Sequence, residues 1–347
     1  MLNLCYNIFF TFVTSFLITY VAIPKVISFA QQFRLTDVAG KRAVHEGSTP
    51  IFGGIAIFSG IIFSLLFWAE LENIQFLLAS FLIVFFVGVI DDLLNLSPLK
   101  KLVGQIIAVL IVIYLGELKI DSMHGVLGLT NQMPDWISTA FTIFVVIVIT
   151  NGFNLIDGVD GLAGGIGIIS ASCFGFIAIL MHQSDMAIIA FSLAGALLAF
   201  LRYNFNPAKI FMGDTGSLVV GMILSVLAIN TIKIGLITED FKLPNKGPLM
   251  AIVFLAIPLF DSLRVFIARI IKGRHPLYPG RGHIHHALLD LGFGHKSTAL
   301  ILYFTSILLI FVAYYLLEIN LNLSIAVLTF VSYIILLIPF YILRKRK

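Results

Sequence analysis

Asp91 and Asp92 stand side by side where an apolar run ends, and the stretch NGFNLIDGVDG further on sets Asn151, Asn154, Asp157 and Asp160 at every third position. A fifth acid, Asp214, lies in FMGDTGSL just ahead of another apolar run. Adjacent carboxylates at a membrane boundary repel each other, so a cation or a donor must compensate or one carboxyl stays protonated. Oxygen-only ligands suit Mg²⁺, with Mn²⁺ as the variant. Each motif alone also has a plainer reading. Asp91–Asp92 fits a solvated helix end, the amide and acid stripe fits helix packing, and Asp214 fits a helix N-cap. Five acids brought to one membrane leaflet favour the metal. In NGFNLIDGVDG the spacing predicts a slowly drifting helical stripe with Asp157 and Asp160 as close neighbours. Gly152, Gly158 and Gly161 would let a ligand or second backbone approach it.

The opposite charge comes from RHPLYPGRGHIHH, which holds Arg274, His275, Arg281, His283, His285 and His286. Imidazole and guanidinium donate readily to phosphate oxygen, so a phosphate-binding loop is expected. A zinc site and a solvated basic loop are the alternatives, although no cysteine or H-E-x-x-H spacing accompanies the histidines. Asp261 and Arg264, three residues apart in an apolar run, read most simply as an intrahelical ion pair. No phosphate-cradling GxxxxGK[ST] is present, so ATP is not called for.

Few elements can position such groups in this chain. Of its 347 residues 59% are hydrophobic and 12% charged, against about 25% charged in a soluble domain. Apolar runs near the length needed to cross a bilayer recur throughout. The expectation is an all-α, polytopic integral membrane protein forming a single transmembrane domain over 1–347. About eleven transmembrane helices are expected, over 4–23, 53–67, 77–90, 102–115, 137–149, 162–181, 186–201, 218–234, 249–271, 297–317 and 323–343. The third and fifth runs are short and should borrow turns from their flanks. The first run lacks a basic flank and a small-residue cleavage site, so it reads as a retained span. Cys5 and Cys173 lie in apolar runs and imply no disulfide.

An odd number of spans puts the ends of the chain on opposite sides, and the basic tail beginning at Arg344 is expected inside. Of the 22 Lys and Arg, all but Lys119, Lys233, Lys242 and Lys246 then fall on the tail's side. The N-terminus is accordingly expected outside and the C-terminus cytoplasmic. Every unusual polar motif lands in cytoplasmic loops one to five.

With these residues in view, the chain resembles the polyprenyl-phosphate N-acetylhexosamine-1-phosphate transferase family, glycosyltransferase family 4. GSTPIFGG, Asp91–Asp92, NGFNLIDGVDGLAGG, NFNPAKIFMGDTGSL and RGHIHHALLDLG occur in order, one per cytoplasmic loop. The HIHH form is similar to the undecaprenyl-phosphate N-acetylglucosamine-1-phosphate transferases rather than to the muramoyl-pentapeptide branch. The resemblance implies roles at matching positions. Asp214 would be the principal Mg²⁺ ligand, and Asp91 or Asp92 the acid that takes a proton from the lipid phosphate. Asp157 and His283 join them as catalytic candidates. Phe211 would stack on uracil, while Gly158, Val159 and Asp160 hold uridine and Asn154 lines the pocket. Asn204, Arg281, His285 and His286 would contact substrate, with His45, beside Arg42, as the basic residue of loop one.

The reaction so implied transfers N-acetylglucosamine 1-phosphate from UDP-N-acetylglucosamine to undecaprenyl phosphate in a bacterial inner membrane, on its cytoplasmic face. It releases UMP and is the first membrane step of cell-surface polysaccharide synthesis, such as O-antigen or teichoic acid. Membrane lipid is the only other expected partner: nucleic acid is not expected, and a homodimer is allowed. The alternatives are another UDP-N-acetylhexosamine or, in a different class, an anion or lipid-phosphate transporter. A scaffold that only binds lipid would need neither the acids nor the histidines. The polar residues gather in one leaflet, which argues against a midplane transport site.

Overall fold

The computed structural model describes residues 2–33, 49–234, 245–271, 273 and 282–346. His45, Arg42, Arg274, His275 and Arg281 lie outside the described residues. Among these described residues thirteen α-helices run in order: α1 (Leu2–Gln32), α2 (Gly53–Trp68), α3 (Leu71–Leu94), α4 (Pro98–Tyr114), α5 (Asp135–Ile156), α6 (Leu162–Leu180) and α7 (Ser184–Asn204). They continue with α8 (Gly213–Lys233), α9 (Gly247–Phe254), α10 (Ala256–Ile271), α11 (Ile284–Asp290), α12 (His295–Tyr315) and α13 (Leu321–Arg346). Among the described residues the only extended pairing recorded is a single antiparallel bridge between Ser122 and Gln132.

Every expected apolar run falls on helix. The third and fifth runs do borrow flanking turns, giving helices of 24 and 22 residues. Among the described residues eight helices are long and apolar enough to cross a membrane, or nine when the bent pair α9 and α10 counts as one span. α2 and α4 are shorter, at 16 and 17 residues. The chain is a multi-pass, all-helical membrane protein.

The ninth run differs from a straight span. It breaks at Leu255, and its halves meet at 79°. Pro258 accounts for the break, since it has no N–H for the carbonyl of Phe254 and its ring crowds that carbonyl. Ser170 Oγ of α6 donates to the Phe254 oxygen instead, at 2.6 Å. A neighbouring side chain thus satisfies the backbone group that the proline leaves behind.

α8 is the axis of the bundle: 94% of its apolar window is buried. Close approach explains how. In lipid, small residues let helix backbones touch. A Cβ on Gly54 of α2 would stand 2.2 Å from Gly216 N, and one on Gly88 of α3 2.4 Å from Thr215 Cα. On the other side, a Cβ on Gly221 would stand 2.6 Å from Thr150 Cα of α5. Three helices are therefore pressed against the first turns of α8. Hydrogen bonds from Gly53 N–H to Phe211 O and from Gly54 N–H to Met212 O, both 2.9 Å, fix the register. The glycines of IFGG are contacts with the FMGDTG segment.

The far end of the bundle carries three of the four cations that break the charge bias, and Lys242 lies outside the described residues. Lys119 pairs with Asp135, Lys233 Nζ donates to Glu117 O at 2.7 Å, and Lys246 Nζ donates to Ile319 O. The acids of the first motifs lie at the other end, where α3 and α5 finish and α4 and α8 begin.

Gly88→Ala is expected to lower stability by about 1–3 kcal/mol, the range for overpacking. Thermal unfolding in detergent measures it. Gly164→Ala, inside α6 where a Cβ meets nothing closer than 3.5 Å, is the control and should melt at or above the parent.

Candidate active site

Asp92 caps α8 from another helix. Its Oδ1 accepts the Asp214 N–H at 2.8 Å, and its Oδ2 accepts the Thr215 N–H at 2.9 Å and the Thr215 hydroxyl at 2.6 Å. The first N–H groups of a helix lack partners within it, and its dipole favours an anion there. Gly213 makes the approach feasible. Its φ is +71°, and a Cβ there would stand 2.7 Å from Asp92 Oδ2. The capping role in the plainer reading of Asp214 is thus taken by Asp92. Met212 occupies the N-cap position without a side-chain bond, and Asp214 lies in the first turn.

That leaves Asp214 free to face inward. Asn154 Nδ2 donates to its Oδ1 at 2.6 Å and to Ser217 Oγ at 2.9 Å. Lys101 Nζ, at the start of α4, pairs with Asp214 Oδ2 and reaches Asp91 Oδ2 at 3.2 Å. Asp91 Oδ1 accepts the Leu96 N–H at 2.7 Å. A lysine therefore bridges two carboxylates whose charges would otherwise repel. The sequence reading did not single out Lys101, which closes the stretch DDLLNLSPLKK ten positions after Asp91. Helix α4 begins at Pro98, and the turn that reverses the chain brings Lys101 back onto Asp91.

The expected stripe ends early. α5 stops at Ile156, with Asp157 as its C-cap, and residues 157–161 form a turn that closes at Gly161 with φ +79°. Asp157 and Asp160 are consequently not neighbours on one helix. Asp160, 6% exposed, turns away from the other acids. Its Oδ2 accepts from Asn206 Nδ2 at 2.8 Å and Ala208 N–H at 3.2 Å, and its Oδ1 pairs with His295 Nδ1 at 3.1 Å. Burial would raise this carboxyl, but the hydrogen bonds from His295 and Asn206 outweigh it and hold the pKa below the ordinary value. Asp157 has no such help. Burial, then the charges of Asp214 and Asp92, push its carboxyl well above the ordinary range. Asp91, Asp92 and Asp214 meet, and Lys101, Asn154 and the α8 N-terminus supply the cation and the donors that such carboxylates require.

Asn204 is buried, and both ends of its amide hold backbone. Oδ1 accepts the Gly161 N–H at 2.8 Å and Nδ2 donates to Ile210 O at 2.8 Å. It brackets the 157–161 turn against the segment leading to Phe211. Phe211 is half-buried, with its N–H on Pro50 O at 2.8 Å. Val159 packs in the core, and Gly158 is exposed.

The histidines reach the same turn. A Cβ on Gly158 would stand 3.0 Å from His285 Nε2, so the glycine admits the imidazole. His285 is 1% exposed. Burial and the neighbouring His286 push it down to about 3, so it serves as a neutral dipole. Its Nδ1 is buried without a hydrogen-bond partner among the described residues. His285 lies parallel to His283, with ring centroids 5.7 Å apart, and 4.2 Å from His286. Asp261 and Arg264 do form the expected pair, at 2.7 Å, but Asp261 also holds His283 Nδ1 at 2.8 Å.

Among the described residues no three His, Cys, Asp or Glu side chains form a ready-made metal cage. Mg²⁺ does not require one: it binds through one or two carboxylates, water and substrate phosphates. Asp214 and Asp91 are hard oxygen donors of that kind, sharing Lys101 between them. An apolar groove holding about 220 Å³ runs along the bent span, lined by Val148 and Ile149 of α5, Ala228 of α8 and Ile252, Leu255 and Leu259.

The sequence model of glycosyl transferase family 4 matches residues 73–232, which include Asp91, Lys101, Asp157 and Asp214. The chain is 31% identical over 296 residues to the probable undecaprenyl-phosphate N-acetylglucosaminyl 1-phosphate transferase of Bacillus subtilis (strain 168), covering 84% of this chain and 80% of that protein. It is 32% identical over 316 residues to the decaprenyl-phosphate N-acetylglucosaminephosphotransferase of Mycolicibacterium smegmatis, covering 84% and 77%. It is 29% identical over 285 residues to the undecaprenyl-phosphate alpha-N-acetylglucosaminyl 1-phosphate transferase of Escherichia coli (strain K12), covering 81% and 76%. The chain belongs to glycosyl transferase family 4.

The raised carboxyl of Asp157 has a measurable consequence. Where the folded pKa exceeds the unfolded one, the folded state binds more protons, and stability falls as pH rises from the ordinary carboxyl value through the raised one. Asp157→Asn removes that slope. The variant is expected to melt above the parent at pH 8, with the gap closing toward pH 4. Equal melting curves at both values would place Asp157 in contact with water or a cation.

Proposed function

From membership of this family we propose that the chain transfers N-acetylglucosamine 1-phosphate from UDP-N-acetylglucosamine to a polyprenyl phosphate, giving polyprenyl-diphospho-N-acetylglucosamine and UMP. The observation that carries the reading is the cluster of Asp91, Lys101, Asn154 and Asp214 at the α8 N-terminus. Undecaprenyl phosphate is the acceptor named in two of the relatives. The reaction is the first membrane step in building a cell-surface polysaccharide. The chain sits in the bacterial inner membrane with its N-terminus outside, its tail inside and the site on the cytoplasmic face.

An oxygen of the lipid phosphate attacks the sugar-bound phosphorus, and the bond from that phosphorus to the oxygen of the uridine phosphate breaks. One phosphoanhydride replaces another, so no ATP is needed. Both substrates are anions, and their repulsion is the main barrier to bringing them together. Lys101 lies between two acids, where it can turn from Asp91 toward an incoming phosphate. Asp214 would hold Mg²⁺, which when bound would supply positive charge to the diphosphate. Asn154 orients Asp214, and Asp92 is committed to the α8 N-terminus. That division makes Asp91 the better candidate to take a proton. The gain from such a base is modest, because a lipid phosphate has lost its first proton at pH 7, and positioning contributes more.

Uridine would lie on the 157–161 turn, with Phe211 stacked on uracil. Asp160 shapes that turn through Asn206, Ala208 and His295, which leaves backbone groups of Gly158 and Val159 for recognition. His283, His285 and His286 would face the phosphates, and the groove along the bent span would take the lipid chain.

The test is purified protein with polyprenyl phosphate, Mg²⁺ and a panel of UDP-sugars, scored for UMP and lipid product. UMP release with UDP-N-acetylglucosamine is expected, and its absence with every sugar would overturn the reading. Asp214→Asn should abolish transfer while the protein remains folded. Asp91→Asn should lose turnover with little change in melting temperature, whereas Asp92→Asn should lose both, since a lost cap costs about 0.5–2 kcal/mol.

A further inference from the structure

The HIHH segment is tied to one buried pair in α10. Asp261 is fully buried and Arg264 is 6% exposed. Asp261 Oδ1 accepts from Arg264 at 2.7 Å and from the Ile284 N–H at 2.9 Å, and Oδ2 meets His283 Nδ1 at 2.8 Å. The Arg264 guanidinium also donates to Gly282 O and lies 4.0 Å over the Phe340 ring. Three consecutive residues, 282 to 284, are thus anchored to a single carboxylate–guanidinium pair.

An ion pair serving only to hold helices together is poorly explained at this depth. Burying both charges costs about as much as the pair returns, and apolar side chains of the same size pack as well or better. The Asp261 pair does something apolar residues do not: it presents a carboxylate to one nitrogen of a histidine. In a histidine the partner of one ring nitrogen decides the state of the other. A carboxylate on Nδ1 places a proton there and leaves Nε2 as the reactive nitrogen. His283 in turn lies parallel to His285, and His285 abuts Gly158 in the turn after α5. The chain of contacts runs from Asp261 to the turn assigned to the nucleotide.

We propose that Asp261 is a positioning residue for the transfer reaction: it fixes the tautomer and the ring orientation of His283, and with Arg264 it sets where the histidine helix begins. The inference rests on the phosphoglycosyl-transfer reading for its kinetic arm and stands independently for its spectroscopic arm. Carboxylates that orient a working imidazole are known to matter by 10- to 100-fold or more when replaced. Asn at position 261 cannot accept at once from Arg264, Ile284 and His283, so the tautomer is no longer enforced.

Two measurements test it. In the first, Asp261→Asn, His283→Ala and the double variant are purified and assayed for UMP release. Asp261→Asn is expected to lower kcat by roughly 10- to 100-fold with KM for the UDP-sugar within about threefold of the parent. In the His283→Ala background the same change should add little, since both act through one imidazole. Full additivity, a loss seen only in KM, or turnover within about twofold of the parent would overturn the proposal. In the second, ¹⁵N-histidine spectra of the parent and of His283→Ala identify the His283 resonances near neutral pH. Protonated Nδ1 is expected, and a neutral ring protonated only on Nε2 would contradict the proposal. This result holds whether or not Asp261→Asn folds. A parent that releases no UMP but shows Nδ1 protonated would sink the assigned reaction and leave the tautomer assignment standing.

Discussion

Negative charge has to be accommodated at the N-terminus of α8, and the surrounding structure follows from how this is done. Asp92 meets the unpaired N–H groups of the helix, Lys101 lies between Asp91 and Asp214, and Asn154 donates to what remains. Each device offsets a charge that would be expensive to bury alone. None suffices alone, because a helix end offers partial charge and a single ammonium cannot balance every acid. The arrangement is balanced at rest and still rich in groups that can exchange partners when a phosphate or a cation arrives.

Such a balance demands close helices. Gly54, Gly88 and Gly221 let α2, α3 and α5 touch α8 at backbone distance. Asp91 and Asp92 lie about one turn beyond Gly88 on α3, so the contact that packs the helices also delivers the acids. The Pro258 bend does the corresponding work for the histidines. It redirects α10, and Asp261, on its second half, holds the segment that brings His283 and His285 to the turn after α5.

Much of this was legible in the sequence because membrane helices announce themselves by composition. Every expected run is helical, and Asp91, Asn154 and Asp214 meet as their motifs suggested. Three things were less visible. Lys101 drew no reading of its own, because its partners lie across a chain reversal and on another helix. The Asn/Asp spacing of NGFNLIDGVDG mimics a helical stripe, but Gly158 and Gly161 end the helix and send Asp160 to different partners. Asp261 was read only along its own helix, where Arg264 is the nearest charge. The bond to His283 spans 22 positions, and local spacing carries no signal for it.

The central physical claim is that Lys101 holds Asp91 and Asp214 together against their repulsion. A double-mutant cycle on thermal stability, with Lys101→Met, Asp214→Asn and the pair, tests it most directly. Lys101→Met should destabilise the protein, and adding Asp214→Asn should recover most of that loss, because one of the two unbridged charges is then gone. Losses that simply add, or a Lys101→Met variant as stable as the parent, would contradict the account.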